Sequence, residues 1–290
     1  MKTSMAQDWA DKIAQRLTSR GLMKTGICLI LGAADTGKTT LAEAIAKRAA
    51  SSRPVAVIDA DIGQSHIGPP TTVGWALVDN PEISLSQLLV SGISFVGDIT
   101  PVGHLLQLTA AIAQCVRQAS EAAELIIIDT PGFIYGPAAK ALWWTVQRIL
   151  QPELILAVQC SDELSDITSG LHSFDLTLEL IESPPQIPTK SPQNRRSYRQ
   201  RKFNQYFRDS CLYNISLSDV AVQSGRSLNR SSFVHRLVAL RDQKGTDMAV
   251  GIIADWQADS DTVVVSAPRL DVRQIHCLVI GDISVEIPQE

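Results

Sequence analysis

Gly32-Ala33-Ala34-Asp35-Thr36-Gly37-Lys38-Thr39, followed by Thr40, stands between an apolar run at 26–31 and a stretch with helical spacing at 38–50. G-x-x-x-x-G-K-[ST] between a strand and a helix is the pattern of a phosphate-binding loop. Its glycines let the backbone curl so that consecutive N–H groups face one anion, and the helix start adds the positive end of its dipole. Lys38 is then placed to reach β- and γ-phosphate oxygens and Thr39 to ligate Mg²⁺, with residues 32–40 forming the expected cradle for a nucleotide.

Outward from this loop, 55–59, 125–129 and 154–159 are further short apolar runs, and 105–122 and 137–150 have helical periodicity. Continuous apolarity in the strands is what a parallel sheet covered on both faces requires. The expected fold is a P-loop NTPase-type doubly wound α/β sheet. Ahead of it, Trp9, Ile13 and Leu17 recur at helical spacing within 6–17, giving an N-terminal helix over residues 1–23. Behind it, 183–193 (SPPQIPTKSPQ) carries four prolines, which disfavour regular structure and mark a hinge or mobile loop. A basic helix is expected at 195–207. From 211 to 287 short β-like runs, 248–253, 262–266 and 275–280, are separated by Gly, Asp and Pro. This divides the chain into a helix (1–23), a P-loop domain with an Arg-rich helical lid (24–208, lid about 183–208) and a small β-rich C-terminal domain (209–290).

The 290 residues are 45% hydrophobic and 19% charged, which suits a large core and excludes disordered and collagen-like classes. Five cysteines lie far apart with no C-x-x-C pair, so neither a zinc site nor a disulfide framework is expected. The N-terminus lacks the apolar stretch of a signal peptide, and the longest apolar runs are about half a membrane span. A cytoplasmic protein without a membrane partner is the expectation.

Two acidic strand ends compete for the metal side of the site. Asp59-Ala60-Asp61-Ile62-Gly63-Gln64 offers two carboxylates on one side of an extended chain and then an amide; Asp129-Thr130-Pro131-Gly132 offers one. Both emerge at the C-terminal edge of a parallel sheet beside the P-loop. The first suits a kinase, which needs one group for the metal and another to accept the proton of an attacking hydroxyl. An Asp at a strand end also serves simply as a helix cap or turn residue. Asp129 to Gly132 fits the D-x-x-G element of GTPases, but 154–159 is followed by Cys160-Ser161-Asp162-Glu163 instead of an N-K-x-D motif, and the P-loop lacks the second lysine of partner-activated ATPases. Switch-type readings lose ground.

The formal charge of −4 hides an uneven distribution. Residues 190–208 hold seven basic and no acidic residues, leaving 19 basic against 30 acidic, or −11, elsewhere. On a helix Arg195, Arg199 and Lys202 share a face with Arg196 adjacent, and Phe203, Tyr206 and Phe207 can anchor it. After a proline-rich hinge in a P-loop protein, such a helix is expected to close over the triphosphate. On the acceptor side, Thr100-Pro101-Val102-Gly103-His104 precedes a helix, where backbone N–H groups can hold a phosphate or sugar oxygen. His104 serves equally as a cap. Phe133 presents a ring either for base stacking or for the core.

GAADTGKTT (32–40), DADIGQSHIGPPTTVG (59–74), FVGDITPVGH (95–104), IIIDTPGF (126–133) and SPQNRRSYRQRKFNQYF (191–207) together resemble the P-loop polynucleotide 5′-hydroxyl kinases. That family includes the RNA kinases of pre-mRNA and tRNA processing, those of ribosomal-RNA processing, and archaeal and bacterial homologues. The resemblance implies ATP and Mg²⁺ on Lys38 and Thr39, with Asp129 and Asp61 on the metal side. Asp61 would activate the 5′-hydroxyl or organise the metal shell, supported by Asp59 and Gln64. Thr100 and Pro101 would belong to a clasp on the nucleic-acid backbone, and Arg195, Arg196 and Arg199 would close over the transferring phosphoryl group. His104 stands where the eukaryotic RNA-kinase branch tends to have Asn, and Phe133 where a Trp often stacks. With one helix before the first strand, the N-terminal β-domain of longer eukaryotic members is expected to be lacking. The implied function is ATP-dependent phosphorylation of single-stranded 5′ ends, RNA in preference to DNA; a nucleotide-hydrolysing switch is the alternative.

Overall fold

The structure is a computed structural model that describes residues 5–80, 82, 84–171, 174–184, 187–225, 233–257 and 261–286. Of the sequence expectations, Pro185 and Gln186 in the proline-rich segment and Ile287 at the end of the β-like region lie outside these residues.

The N-terminal helix α1 (Met5–Ser19) leads into β1 (Gly26–Gly32), α2 (Lys38–Ala50) and β2 (Val55–Asp59). Then come β3 (Thr72–Leu77), β4 (Gly92–Phe95), α3 (Leu105–Ala119), β5 (Leu125–Asp129), α4 (Gly136–Leu150), β6 (Leu154–Gln159), a short α5 (Ser165–Thr168) and β7 (Thr177–Glu182). Five strands, in the order β7-β6-β1-β5-β2, are parallel. Successive residues of β1 enter opposite cores. Cys28 and Ile30 join Ala10, Leu17 and Ile45 of α1 and α2, while Leu29 and Leu31 join Ile112 and Trp143 of α3 and α4. Both faces are covered, which is why β1, β2, β5 and β6 are apolar up to their C-terminal ends. Among the described residues no helix is long and apolar enough to cross a membrane.

Beyond β2 the sheet departs from the sequence expectation. β3 and β4 extend it antiparallel, and Asp247 of a later strand pairs with Ile93 of β4. β3 follows Pro69 and Pro70, and β4 has four residues, so neither carries a long apolar run. β7 was also absent from the pattern: as an edge strand it is mostly half-exposed. After α6 (Pro192–Tyr206) the chain forms β8 (Cys211–Ser216), β9 (Ala221–Ser224), β10 (Arg236–Arg241), β11 (Asp247–Gln257), β12 (Thr262–Ala267) and β13 (Cys277–Ser284). These enclose a core of their own around Phe233, Leu240, Ile253 and Leu278. A further cluster joins Phe203 and Phe207 of the basic segment to Phe95, Leu237 and Ile252, so the aromatic anchors seat α6 against both groups of strands.

The join at β4 is fastened by one carboxylate. Asp247, with no exposed side-chain surface, accepts from the Phe95 N–H at 2.7 Å and from Arg241 Nε and Nη2 at 2.7 and 3.2 Å. Removing it strands a half-buried guanidinium and a buried N–H. Asp247→Ala is expected to lower unfolding stability by about 3 kcal/mol, read from urea titration; a loss under about 1 kcal/mol would contradict this role.

Candidate active site

β1 delivers the phosphate loop at the C-terminal edge of the parallel strands. Gly37 sits at the start of α2 with φ +93°, a left-handed conformation that side chains avoid; a Cβ there would also lie 3.0 Å from Ile187 Cδ1 and 3.1 Å from the Trp9 ring. Lys38 is buried, and its Nζ donates across the loop to the Ala33 carbonyl at 2.6 Å. Burial lowers its pKa, while Asp129, Asp61 and Asp35 oppose that shift. The Thr39 hydroxyl donates to Asp129 Oδ2 at 2.5 Å.

The two acidic strand ends meet, because β2 and β5 are parallel neighbours with Asp59 in register with Asp129. Their chemistry differs. Asp59 Oδ1 accepts from the Asp61 N–H at 3.0 Å, and Oδ2 accepts from the backbone N–H of Ile67 at 3.1 Å and from that of His66. Asp59 is thus the internal brace of the loop at 60–67. Asp61 lines the cavity in front of the P-loop and commits Oδ1 to the N–H groups of Gly63 and Gln64, at 3.1 and 3.0 Å. Gln64 donates through Nε2 to Gly63 O at 2.7 Å and to Arg195 O at 3.3 Å. Among the described residues its buried Oε1 and the buried Oδ1 of Asp129 have no partner.

Burial and the charges of their acidic neighbours raise the pKa of both Asp59 and Asp129. Thr39 Oγ1, Asp129 and Asp61 make an all-oxygen donor set rich in negative charge, the kind that suits a hard divalent cation.

The basic helix closes the third side. Ser191 caps α6 by accepting from the Asn194 N–H, and Pro192 occupies the first turn. Asp35 of the P-loop accepts from Arg195 Nη2 at 2.6 Å and from the Lys190 N–H at 3.1 Å. Tyr198 donates to Ser65 O at 2.9 Å, and Lys202 Nζ to His66 O at 3.0 Å. Residues 195, 198 and 202 therefore grip the phosphate and acid loops. Arg196 and Arg199 face elsewhere, lining a second cavity of about 370 Å³ with Ile99. The expected single basic face is thus split: α6 lies along the boundary between two loops, and adjacent stripes of its surface look to different sides.

The cavity of about 510 Å³ brings together residues 34–40 of the P-loop with Asp61, Gln64, Thr130 and Arg195. It also includes His66, which the sequence reading passed over. Its Nδ1 is buried without a hydrogen-bond partner among the described residues, 3.9 Å from Asp59 Oδ2, and its ring lies 5.9 Å from that of Tyr198. Position 66, two residues past Gln64 in the acid segment, was the available signal. Met5, Ala6, Ile187 and Pro188 add an apolar wall.

Other candidates lie outside this cavity. Thr100 is exposed and Pro101 buried on the neighbouring loop. His104 stands at the N-cap position of α3 without a side-chain capping bond among the described residues and pairs through Nε2 with Asp282 of β13 at 3.0 Å. Phe133 is half-buried against the core of α3 and α4, and its carbonyl accepts from Trp143 Nε1 at 2.7 Å.

The family described as mRNA cleavage and polyadenylation factor CLP1 P-loop matches residues 32–209. A protein of Pyrococcus abyssi named polyribonucleotide 5′-hydroxyl-kinase is 35% identical over 208 residues, 71% of this chain and 57% of its own length. Proteins of the same name from Pyrococcus horikoshii and Thermococcus kodakarensis are 33% and 29% identical over 72% and 86% of this chain, and 56% and 71% of their own. The chain thus spans just over half the length of the two Pyrococcus relatives. The solved Clp1p–Pcf11p complex matches with a TM-score of 0.71 over 98% of this chain and 80% of that one, at 13% identity, a likeness of fold.

The crowded carboxylates make a prediction about stability. A carboxylate whose folded-state pKa is raised contributes stability that is complete in acid and is lost as the pH rises through the raised value. Asp129→Asn is therefore expected to lose less thermal stability than the wild type between about pH 5 and about pH 8. Equal slopes in the two proteins would contradict the electrostatic reading.

Proposed function

The chain belongs to the CLP1 P-loop family, and within it we propose an ATP-dependent polynucleotide kinase that transfers the γ-phosphate to the 5′-hydroxyl of single-stranded RNA. One observation carries this reading: Asp61 and Gln64 share a cavity with Lys38 and Thr39 under the arginine-bearing helix. A hydrolytic switch has no use for a braced carboxylate on the acceptor side. The names of the archaeal relatives support a polyribonucleotide acceptor for them, and we extend it to this chain. A cytoplasmic location fits such a substrate.

In this proposal, P-loop N–H groups and Lys38 hold the β- and γ-phosphates. Thr39 and Asp129 would hold Mg²⁺, which when bound supplies neutralising charge to the phosphate oxygens. The acceptor 5′-hydroxyl lies against Asp61, whose carboxylate takes the proton as the O5′–P bond forms and the bond from phosphorus to the β–γ bridging oxygen breaks. ADP leaves with the bridging oxygen. Asp59 has both oxygens engaged by backbone donors and serves as the brace of the loop that presents Asp61. Arg195 can leave Asp35 for the transferring phosphoryl group, whose charge is spread over three oxygens.

Incubation with γ-labelled ATP and a 5′-hydroxyl RNA oligonucleotide tests the reading. Label is expected on that RNA, less on the matching DNA and none on RNA already bearing a 5′-phosphate. Lys38→Ala is expected to lower the rate by at least on the order of 100-fold. No transfer by the wild type, or full transfer by Lys38→Ala, would overturn the proposal.

A further inference from the structure

The second cavity adjoins the loop that carries Asp61, through Ile99. Its walls are Ile99 of the loop after β4, Arg196, Arg199 and Gln200 of α6, and the end of β13 with Ser284 and Glu286 just beyond or at its close. Only a backbone contact separates it from the loop that carries Asp61. At Gly63 a Cβ would lie 2.8 Å from the Ile99 carbonyl oxygen, so this glycine lets the acid loop meet the loop after β4 directly. The first cavity ends on Asp61 and Gln64, and the second begins at Ile99.

The charge of the second cavity is unbalanced. Among the described residues neither Arg196 nor Arg199 has an ion-pair partner, whereas Arg195, Arg236 and Arg241 are each held by a carboxylate. Burial and the positive charges of Arg195 and Arg196 lower the pKa of Arg199, while Asp61 opposes this. Two guanidiniums without an ion-pair partner on the cavity wall, with apolar Ile99, Phe203 and Ile283 beside them, match a chain of phosphodiesters alternating with sugars and bases.

We infer that this groove between α6 and the end of β13 is a track for the acceptor strand, receiving the phosphodiesters 3′ of the nucleotide that is phosphorylated. The C-terminal strands thereby become one wall of the polynucleotide site. The inference rests on the kinase reading above and adds to it a requirement for length: affinity should grow once the acceptor extends beyond its first nucleotides.

The test measures binding apart from turnover. Fluorescence anisotropy with labelled single-stranded RNA of two to six nucleotides is run on the full chain, wild type, Ser284→Glu and Glu286→Lys. Ser284 and Glu286 are exposed, so neither change disturbs the core. Wild-type affinity is expected to rise with length. Ser284→Glu, which adds a negative charge to the wall, should weaken the hexamer about fivefold relative to the dimer. Glu286→Lys should strengthen it by a similar factor and steepen the salt dependence by about one unit of slope. Equal length dependence in all three proteins, or none in the wild type, overturns the track. Phosphate transfer to the same oligonucleotides is measured in parallel. Loss of transfer with the length dependence intact would count against the kinase reading and leave the groove a polynucleotide site.

Discussion

Three backbone N–H groups converge on the carboxylate of Asp59, and the rest of the site hangs from that convergence. A buried carboxylate is costly unless it is hydrogen-bonded. Here the donors come from Asp61, His66 and Ile67, so meeting that need folds the eight residues after the strand into a compact loop. The loop brings Asp61 to the P-loop cavity, turns Gln64 under the helix and offers the carbonyls of Ser65 and His66 to Tyr198 and Lys202. Asp59, Asp61 and the seat of α6 belong to one local structure.

The lid is held to the P-loop by the same economy. Asp35 occupies a variable position of the phosphate-binding motif, yet it ties Lys190 and Arg195 to the loop that they cover. Arg195 thus rests beside the phosphate cradle on a carboxylate that it can exchange for a phosphoryl oxygen, since both are oxyanions with similar hydrogen-bond geometry. Arg196 and Arg199 lie one stripe further round the helix, over a different groove. One helix therefore lines the P-loop cavity with one side and the second cavity with the other.

Much of this was legible in residue order. The P-loop, the parallel strands and the strand-end acids depend on local pattern and on a rule of topology that gathers strand ends at one edge. The aromatic anchors of α6 were also readable, because their spacing is helical. What escaped depends on partners distant in sequence or on unpatterned backbone. The bracing role of Asp59 comes from the loop conformation and not from its residue type. His104 finds Asp282 across 178 residues of chain, which makes it a link between α3 and β13 outside the P-loop cavity. The short strands β3 and β4 carry too few apolar residues to announce themselves, so the union of the two groups of strands through Asp247 could not be anticipated.

The account divides labour between two aspartates two residues apart: Asp59 builds the loop and Asp61 acts on the acceptor. Single-turnover phosphate transfer by Asp61→Asn, at saturating ATP and 5′-hydroxyl RNA, tests this most directly when thermal unfolding is followed on the same sample. The account predicts an unfolding midpoint within about 2 °C of wild type and a rate lower by about 100-fold or more. A variant that transfers phosphate at the wild-type rate would contradict it.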